Sequence, residues 1–249
     1  MIYIKSNDEI NIMRECGSLL AEMYEFITPY VQPGITGLEL DKIAEDFIVK
    51  SGAVPEQKGY HGFPATLCIS TNEQVIHGIP SNKKLEEGDI VGLDCTISIK
   101  GLMTDSARTY AVGKIDKKKE KLMERTEKSL YIGIDAIKAG GRVNNIGRAV
   151  EDYISQFGYG IVRDFCGHGV GYEIHEEPTV LNYYSTRYRN RLKENMVLTV
   201  EPMINMGTYD VKVLDDGWTV ETTDKMPSCH FEHTVVVTAE GCEILTQKS

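Results

Sequence analysis

Apolar residues recur at helical spacing in two stretches near the start of the chain. A capping box at Ser6 and Glu9 opens the first stretch, and Pro29 ends it. Thr36 caps the second, which is predicted to run to about Lys50. The apolar positions of the first stretch that share one helical face are Ile10, Met13, Leu20 and Ile27. The pattern therefore predicts a pair of amphipathic helices, followed by strand-like sequence.

The same order of elements is predicted a second time. Helical segments at 117–139 and 143–157 precede a strand-rich region at 160–245. Three pairs of segments in the two halves also match in sequence and in order: 42–48 with 148–154, 76–80 with 174–178, and 85–94 with 192–201. We therefore predict one α+β domain over 1–249, built from duplicated ααβ halves at about 6–112 and 117–245, with a curved antiparallel sheet covered by helices.

Charge and composition narrow the possible partners. The chain has 249 residues, with 27 Lys and Arg against 37 Asp and Glu, and its formal net charge is −10. That charge argues against a nucleic acid substrate or an anionic membrane surface. The sequence has neither a long apolar stretch nor a signal peptide pattern, so we predict a cytoplasmic protein. None of its six cysteines forms a Cys-x-x-Cys pair, which predicts free thiols.

Two acids lie on a predicted hairpin at 90–112. If its turn is Lys100-Gly101, Thr96 faces Asp105, and Asp94 shares their side of the sheet. An arbitrary pair of acids on a hairpin is more often a solvated polar position than a functional site. The repeat favours a site instead, as the second half shows.

The second half carries two matching acids. Glu201 takes the position of Asp94, and Glu232 lies on a later strand, as Asp105 does in the first half. Two carboxylates about 4 Å apart repel by about 4 kcal/mol at an effective dielectric of about 20, so four of them need compensation. Two divalent cations would cancel the four charges, and paired metal ions are a known device for activating water.

Imidazole donors are available close to these acids. His168 lies in a glycine-rich segment, 166–171, and His77 and His175 fall within matching blocks of the two halves. His233 alternates away from Glu232 along its strand, so we predict a supporting or core position for it. A site dominated by carboxylates favours Mn²⁺, Fe²⁺ or Co²⁺, and imidazole also admits Zn²⁺.

Motifs along essentially the whole chain resemble the type I methionine aminopeptidases of the pita-bread fold. The matching pieces are residues 59–64, 72–80, 94–96 with Asp105, 167–171, 175–178, 201–203 and 231–234. The resemblance implies a dinuclear metal centre whose two ions are bridged by Asp105 and Glu232. Its full ligand set would be Asp94, Asp105, His168, Glu201 and Glu232. It also implies that Glu201 shuttles the proton of the attacking water.

The resemblance further assigns substrate contacts. His175 would contact the scissile carbonyl oxygen, and His77 would lie at the scissile nitrogen. The methionine pocket would consist of Tyr60, Phe63, Cys68, His77 and Trp218. Asn72 and Ser228 match positions of a monovalent cation site in some members. The chain departs from the family pattern at Ile174, Cys229 and His230, which affects the pocket and the metal preference.

The implied function is removal of the N-terminal methionine from peptides and nascent chains with a small second residue. The bare catalytic domain resembles the bacterial form, which implies a monomer acting near the ribosome exit region. A proline-specific aminopeptidase of the same fold and a non-catalytic peptide-binding module are the alternatives. The presence of all five ligand positions favours the enzyme over the binding module.

Overall fold

The helices of the protein form as two pairs. The computed structural model describes residues 1–248, and Ser249, the last residue of the predicted domain, lies outside the described residues. Within 1–248 the α-helices are α1 (Asn7–Ile27), α2 (Gly37–Lys50), α3 (Lys117–Asp135) and α4 (Asn144–Ile154). The predicted capping boxes at the starts of α1 and α2 are both present. The third helix ends at Asp135 and not at the predicted residue 139.

Short strands make up most of the remaining chain. In the described residues they are β1 (Val54–Pro55), β2 (Cys68–Thr71), β3 (Gln74–Ile76), β4 (Ile90–Ile99), β5 (Leu102–Ala111), β6 (Gly160–Ile161), β7 (Gly167–Gly169), β8 (Glu176–Val180), β9 (Val197–Val200), β10 (Met203–Asn205), β11 (Val211–Val213), β12 (Val220–Thr222), β13 (Ser228–His230), β14 (Glu232–Val237) and β15 (Cys242–Ile244). Only β4 and β5 reach ten residues.

One large antiparallel sheet organises the molecule. Its strand order is β1-β4-β5-β14-β9-β7-β8, with β2 added beside β4 and β15 beside β14. Two three-stranded sheets, β13-β10-β6 and β11-β12-β3, complete the strands of residues 1–248. The predicted α+β pita-bread class with an antiparallel sheet under helices is confirmed.

Each helix pair packs on its own part of the large sheet. Residues of α1 and α2 share an apolar cluster with Leu93 and Ile97 of β4, while residues of α3 and α4 share another with Leu198 of β9 and Val235 of β14. Side chains alternate between the two faces along a strand, so the neighbours of these apolar residues point away from the helices. The predicted acids occupy those neighbouring positions.

The chain also meets two expectations from its composition. All six cysteines are free. No helix within residues 1–248 is long and apolar enough to cross a membrane.

Candidate metal centre and substrate cavity

Five strands that are consecutive in the large sheet each supply one predicted donor. In the order β4, β5, β14, β9, β7 these are Asp94, Asp105, Glu232, Glu201 and His168, with Glu201 directly after the end of β9. The predicted hairpin register is confirmed, since Lys100-Gly101 forms the turn and Thr96 pairs with Asp105. Donors from residues more than a hundred positions apart therefore reach one place because their strands are neighbours.

The register explains the alignment of the acids. Ala107 of β5 pairs with Asp94 on one side and with Glu232 on the other, so both acids lie in one row across three strands. The pairing of His233 with Val200 brings Glu201 opposite Glu232 when it is continued by one residue. Pro202 then interrupts the strand, as the sequence predicts, because proline offers no backbone donor.

The donor atoms come close to one another. One side-chain donor atom each from Asp105, His168 and Glu232 lies within 4.8 Å of the other two. The Nε2 atom of His168 lies 3.5 Å from Oε1 of Glu201 and 3.9 Å from Oδ2 of Asp105. Asp94 is held from the other side by Gln57, whose Nε2 donates to Oδ1 over 2.9 Å. The structure thus brings all five predicted ligand residues together.

Glycines beside His168 permit close approach of the backbone rather than of a ligand. A Cβ atom on Gly167 would lie 2.6 Å from the carbonyl oxygen of Thr199, and one on Gly169 would lie 2.3 Å from that of Glu177. Thr199 also accepts a hydrogen bond from the backbone N–H of His168 through Oγ1. The glycines therefore fix the imidazole by letting β7 pack tightly between its neighbouring strands.

The carboxylates are poorly stabilised as ions in the metal-free protein. Burial is the first cause that raises the pKa of Asp94, Asp105, Glu201 and Glu232, and repulsion from the neighbouring carboxylates adds to the rise for Asp94, Glu201 and Glu232. Burial likewise lowers the pKa of His168 to about 4, so its ring is neutral at pH 7 and free to act as a donor.

These residues fit a pair of divalent cations. Within residues 1–248 no lysine or arginine forms an ion pair with any of the four acids, and Oδ1 of Asp105 is buried without a hydrogen-bond partner. Four acids and one neutral imidazole are hard and borderline donors of the kind that bind Mn²⁺, Fe²⁺, Co²⁺ or Zn²⁺. Cations would supply the charge compensation that the protein itself lacks.

A cavity of about 120 Å³ opens above the acids. Its lining includes Phe63 and Trp218, whose rings meet edge to face with centroids 5.1 Å apart. Phe63 and Cys68 are buried in a small apolar cluster against which Trp218 packs. The cavity lining contains every predicted pocket residue, namely Tyr60, Phe63, Cys68, His77 and Trp218. One wall is therefore apolar and aromatic, and the floor is acidic.

Two histidines lie between the wall and the floor. The ring of His77 stands edge to face with Phe165, 5.7 Å away, and desolvation followed by the proximity of His175 lowers the pKa of His77 to about 4. His175 lies on the exposed rim, with its ring centroid 4.4 Å from that of His168. Its Nδ1 atom lies 2.9 Å from the hydroxyl of Tyr60. Desolvation in the cavity, followed by His168, also lowers the pKa of His175.

The predicted monovalent cation residues lie outside this cavity. The backbone N–H of Ser228 donates to the carbonyl of Asn72 over 2.8 Å, so the two residues do meet. The ammonium of Lys119 donates to Oδ1 of Asn72 over 2.9 Å, which already places a positive charge beside that side chain. The cation site at these residues stays a prediction.

Departures from the family pattern fall in different places. Ile174 lines the cavity, whereas Cys229 and His230 are buried residues of β13 outside its lining. His233 points away from the acids, and its Nδ1 atom lies 2.8 Å from Oγ1 of Thr246. His233 thus occupies the core position expected from strand alternation, so among the three departures only Ile174 changes the cavity surface.

Four lining residues escaped the sequence analysis. They are Gln57, Ile76, Phe165 and Cys166. Ile76 and Cys166 lie directly beside predicted site residues or motifs, which is a usable signal. Gln57 and Phe165 are ordinary residues in loops, and only the folded chain brings Gln57 to Asp94.

Comparison with known proteins agrees with this geometry. The sequence profile of metallopeptidase family M24 matches residues 11–239, and the chain belongs to that family. The family implies divalent metal ions at the acidic floor.

Individual relatives narrow the class. The chain is 50% identical over 235 residues to the methionine aminopeptidase of Borreliella burgdorferi, covering 94% of each chain. It is 47% identical over 246 residues to that of Clostridium perfringens, covering 99% of each. The crystal structure of methionine aminopeptidase from Rickettsia prowazekii superposes with a TM-score of 0.97 at 41% identity, over 99% of this chain and 100% of that one. The predicted resemblance to methionine aminopeptidases is confirmed.

Proposed function

We propose that the protein hydrolyses the first peptide bond of peptides that begin with methionine, with preference for a small second residue. The observation that carries this proposal is one cavity in which a buried cluster of four acids and His168 lies beside an apolar wall containing Trp218. An apolar, aromatic and sulfur-bearing wall suits a flexible thioether side chain.

Metal binding is assigned to the five donors. Asp94, Asp105, His168, Glu201 and Glu232 would hold two divalent ions, with Asp105 and Glu232 shared between them. Bound divalent ions lower the pKa of water towards neutrality and polarise carbonyl groups, which is the chemistry that peptide hydrolysis requires. Mn²⁺, Fe²⁺, Co²⁺ and Zn²⁺ all suit this donor set.

Proton transfer is assigned to Glu201. Its Oε1 atom accepts a hydrogen bond from Oγ1 of Thr199 over 2.8 Å, and its backbone carbonyl accepts one from Asn182 over 3.0 Å. The side chain is thereby held at the cavity floor while its second oxygen remains available. Burial raises its pKa, which brings the carboxylate closer to the range where a general base works at neutral pH.

His175 is assigned to the scissile carbonyl oxygen. Desolvation raises the pKa of Tyr60, so its hydroxyl keeps its proton and donates to Nδ1 of His175. That contact leaves the proton of the neutral imidazole on Nε2, where it can donate to the developing oxyanion. His77, beside Trp218 with ring centroids 6.3 Å apart, is assigned to the scissile nitrogen.

Removal of one residue follows from the assigned orientation. The substrate amino group would lie on the side of Asp94, where Gln57 and the acidic floor close the cavity. A positively charged amino terminus is favoured there by the buried acids, and a blocked terminus is not. The arrangement supports an exopeptidase.

Further predictions concern the setting of the enzyme. Nascent chains are proposed as its natural substrates, since translation begins with methionine. Action as a monomer in the cytoplasm, contact with the ribosome exit region, the single-domain organisation over 1–249 and a monovalent cation at Asn72 and Ser228 stay predictions.

The test is release of free amino acid from tripeptides. Metal-stripped protein is incubated with Met-Ala-Ser, Met-Trp-Ser or Pro-Ala-Ser, with and without added Mn²⁺. We expect release of methionine from Met-Ala-Ser only with Mn²⁺, much slower release from Met-Trp-Ser, and none of proline. Preferential release of proline would favour the proline-specific alternative, and binding of Met-Ala-Ser without any release would favour the binding module.

A further inference from the structure

A buried ion pair joins the start of the chain to the loop that carries His175. The ammonium of Lys5 lies 2.7 Å and 3.0 Å from the two carboxylate oxygens of Glu176, the next residue after His175. The side chains of Lys5 and Glu176 are only 1% and 2% exposed. Lysine is rarely buried so completely, which calls for an explanation.

Glu176 also closes the loop in which His175 lies. Its Oε1 atom accepts hydrogen bonds from the backbone N–H groups of Tyr172, over 2.6 Å, and Glu173, over 3.3 Å. One carboxylate therefore holds both the loop backbone and the ammonium of Lys5. The imidazole of His175 projects from the residue between these contacts, so the loop geometry determines where the ring lies.

The loop is built to receive this lysine. A Cβ atom on Gly171 would lie 2.4 Å from Cε and 2.8 Å from Nζ of Lys5, so the lysine side chain passes directly over a position that tolerates only glycine. Its ammonium lies 4.0 Å from the ring centroid of Tyr172 and 4.9 Å from that of Tyr3. Two aromatic rings and a carboxylate thus surround the charge.

The segment that carries Lys5 is itself anchored. The backbone N–H of Lys5 donates to the carbonyl of Asn195 over 3.0 Å, and Ile2 forms a bridge with Glu177. The hydroxyl of Tyr172 donates to Glu9, in the first turn of α1, over 2.6 Å. The 171–176 loop therefore rests on the beginning of the chain rather than on the sheet alone.

We propose that Lys5 is a positioning residue for His175, acting through Glu176. The assignment rests on the proposed function, because it gives His175 the oxyanion contact. Without the ammonium, the carboxylate of Glu176 would be buried without its cation and would move towards water, carrying the loop and the imidazole with it. Contacts to the acids and to the methionine pocket would be unaffected, since Lys5 touches neither.

A double-mutant cycle with His175 tests the proposal. Lys5→Met removes the charge at similar length, and His175→Ala removes the group on which Lys5 acts. With Mn²⁺-loaded protein and Met-Ala-Ser, we expect Lys5→Met to lower kcat about tenfold or more while KM changes less than about twofold. In the His175→Ala background the same substitution should change kcat less than about twofold. Lys42→Met, on the exposed face of α2, is the matched control and should leave both constants unchanged.

Readouts besides turnover separate positioning from folding. The unfolding midpoint is measured for each variant, and all rates are taken well below it. Binding of free methionine, followed by the fluorescence of Trp218, should be unchanged in Lys5→Met because the pocket is intact. Glu176→Gln, which keeps the size and one acceptor, is carried through the same cycle and gives the answer if Lys5→Met does not fold.

The outcomes are distinct. If wild-type protein releases no methionine, the proposed function fails, and the assignment of Lys5 falls with it. If wild-type protein is active, equal losses of kcat in the presence and absence of the His175 imidazole overturn the positioning role. An unchanged kcat in Lys5→Met overturns it as well.

Discussion

Replacing one buried acid should stabilise the metal-free protein while weakening metal binding. Donor atoms of Asp105 and Glu232 lie within 4.8 Å of each other. At an effective dielectric of about 20, two unit charges at that separation repel by about 3.5 kcal/mol. Glu232→Gln removes one charge, and the new amide can donate to a neighbouring carboxylate. Because proton uptake already relieves part of the repulsion, we expect a gain of about 1 to 3 kcal/mol in the free energy of unfolding at pH 7, or about 2 to 10 °C in the midpoint.

The effect should depend on pH in a defined direction. Burial and the neighbouring acids raise the pKa of Glu232 in the folded protein. The folded state therefore holds a proton at pH values where the unfolded chain has lost it, so the metal-free wild type loses stability as the pH rises above about 4.5. The advantage of Glu232→Gln should be small near pH 5 and larger near pH 7.

Metal should reverse the order of stability. An ion present at about 100 times its Kd stabilises the wild type by about 2.7 kcal/mol, and the variant lacks a shared ligand. The assay is urea unfolding of chelator-treated protein with and without Mn²⁺, with Glu124→Gln on the exposed face of α3 as the control. A metal-free variant that is less stable than wild type at pH 7 would refute the electrostatic reasoning.

Three further predictions concern the reaction itself. Glu201→Gln should lower kcat by about a hundredfold or more because it removes the proton acceptor, and steady-state rates near the wild-type value would contradict that role. Trp218→Ala should raise KM for Met-Ala-Ser more than it lowers the Mn²⁺ content measured by elemental analysis, whereas an unchanged KM would exclude Trp218 from the pocket. Apparent Mn²⁺ affinity in a calorimetric titration should fall as pH is lowered from 8 to 6, since the raised pKa values of Asp94 and Glu232 mean that protons compete with the metal; an affinity independent of pH would contradict this.

The metal donors were predictable because they depend on short-range regularities. Alternation along a strand places Asp94 and Asp105 on one face once the turn at Lys100-Gly101 is recognised, and the internal repeat carries the argument to Glu201 and Glu232. The five donors then meet because their strands are neighbours in the sheet.

Contacts between distant parts of the chain were less accessible. Lys5 and Glu176 are separated by 171 positions, and neither has a local pattern that indicates a partner. Gln57 approaches Asp94 from a loop without regular periodicity. The end of α3 at Asp135 was also missed, because apolar residues continue past the helix as part of the core, as Ile137 does.

The most direct test follows metal occupancy and hydrolysis together. Mn²⁺ is titrated into metal-free protein while methionine release is measured from Met-Ala-Ser and from its N-acetylated form. We expect binding of two ions per chain, release from the free peptide that rises with occupancy, and no release from the acetylated one. Full loading without release, or release that persists after chelation, would contradict the assignment of the acidic cavity as a metal-dependent methionine aminopeptidase site.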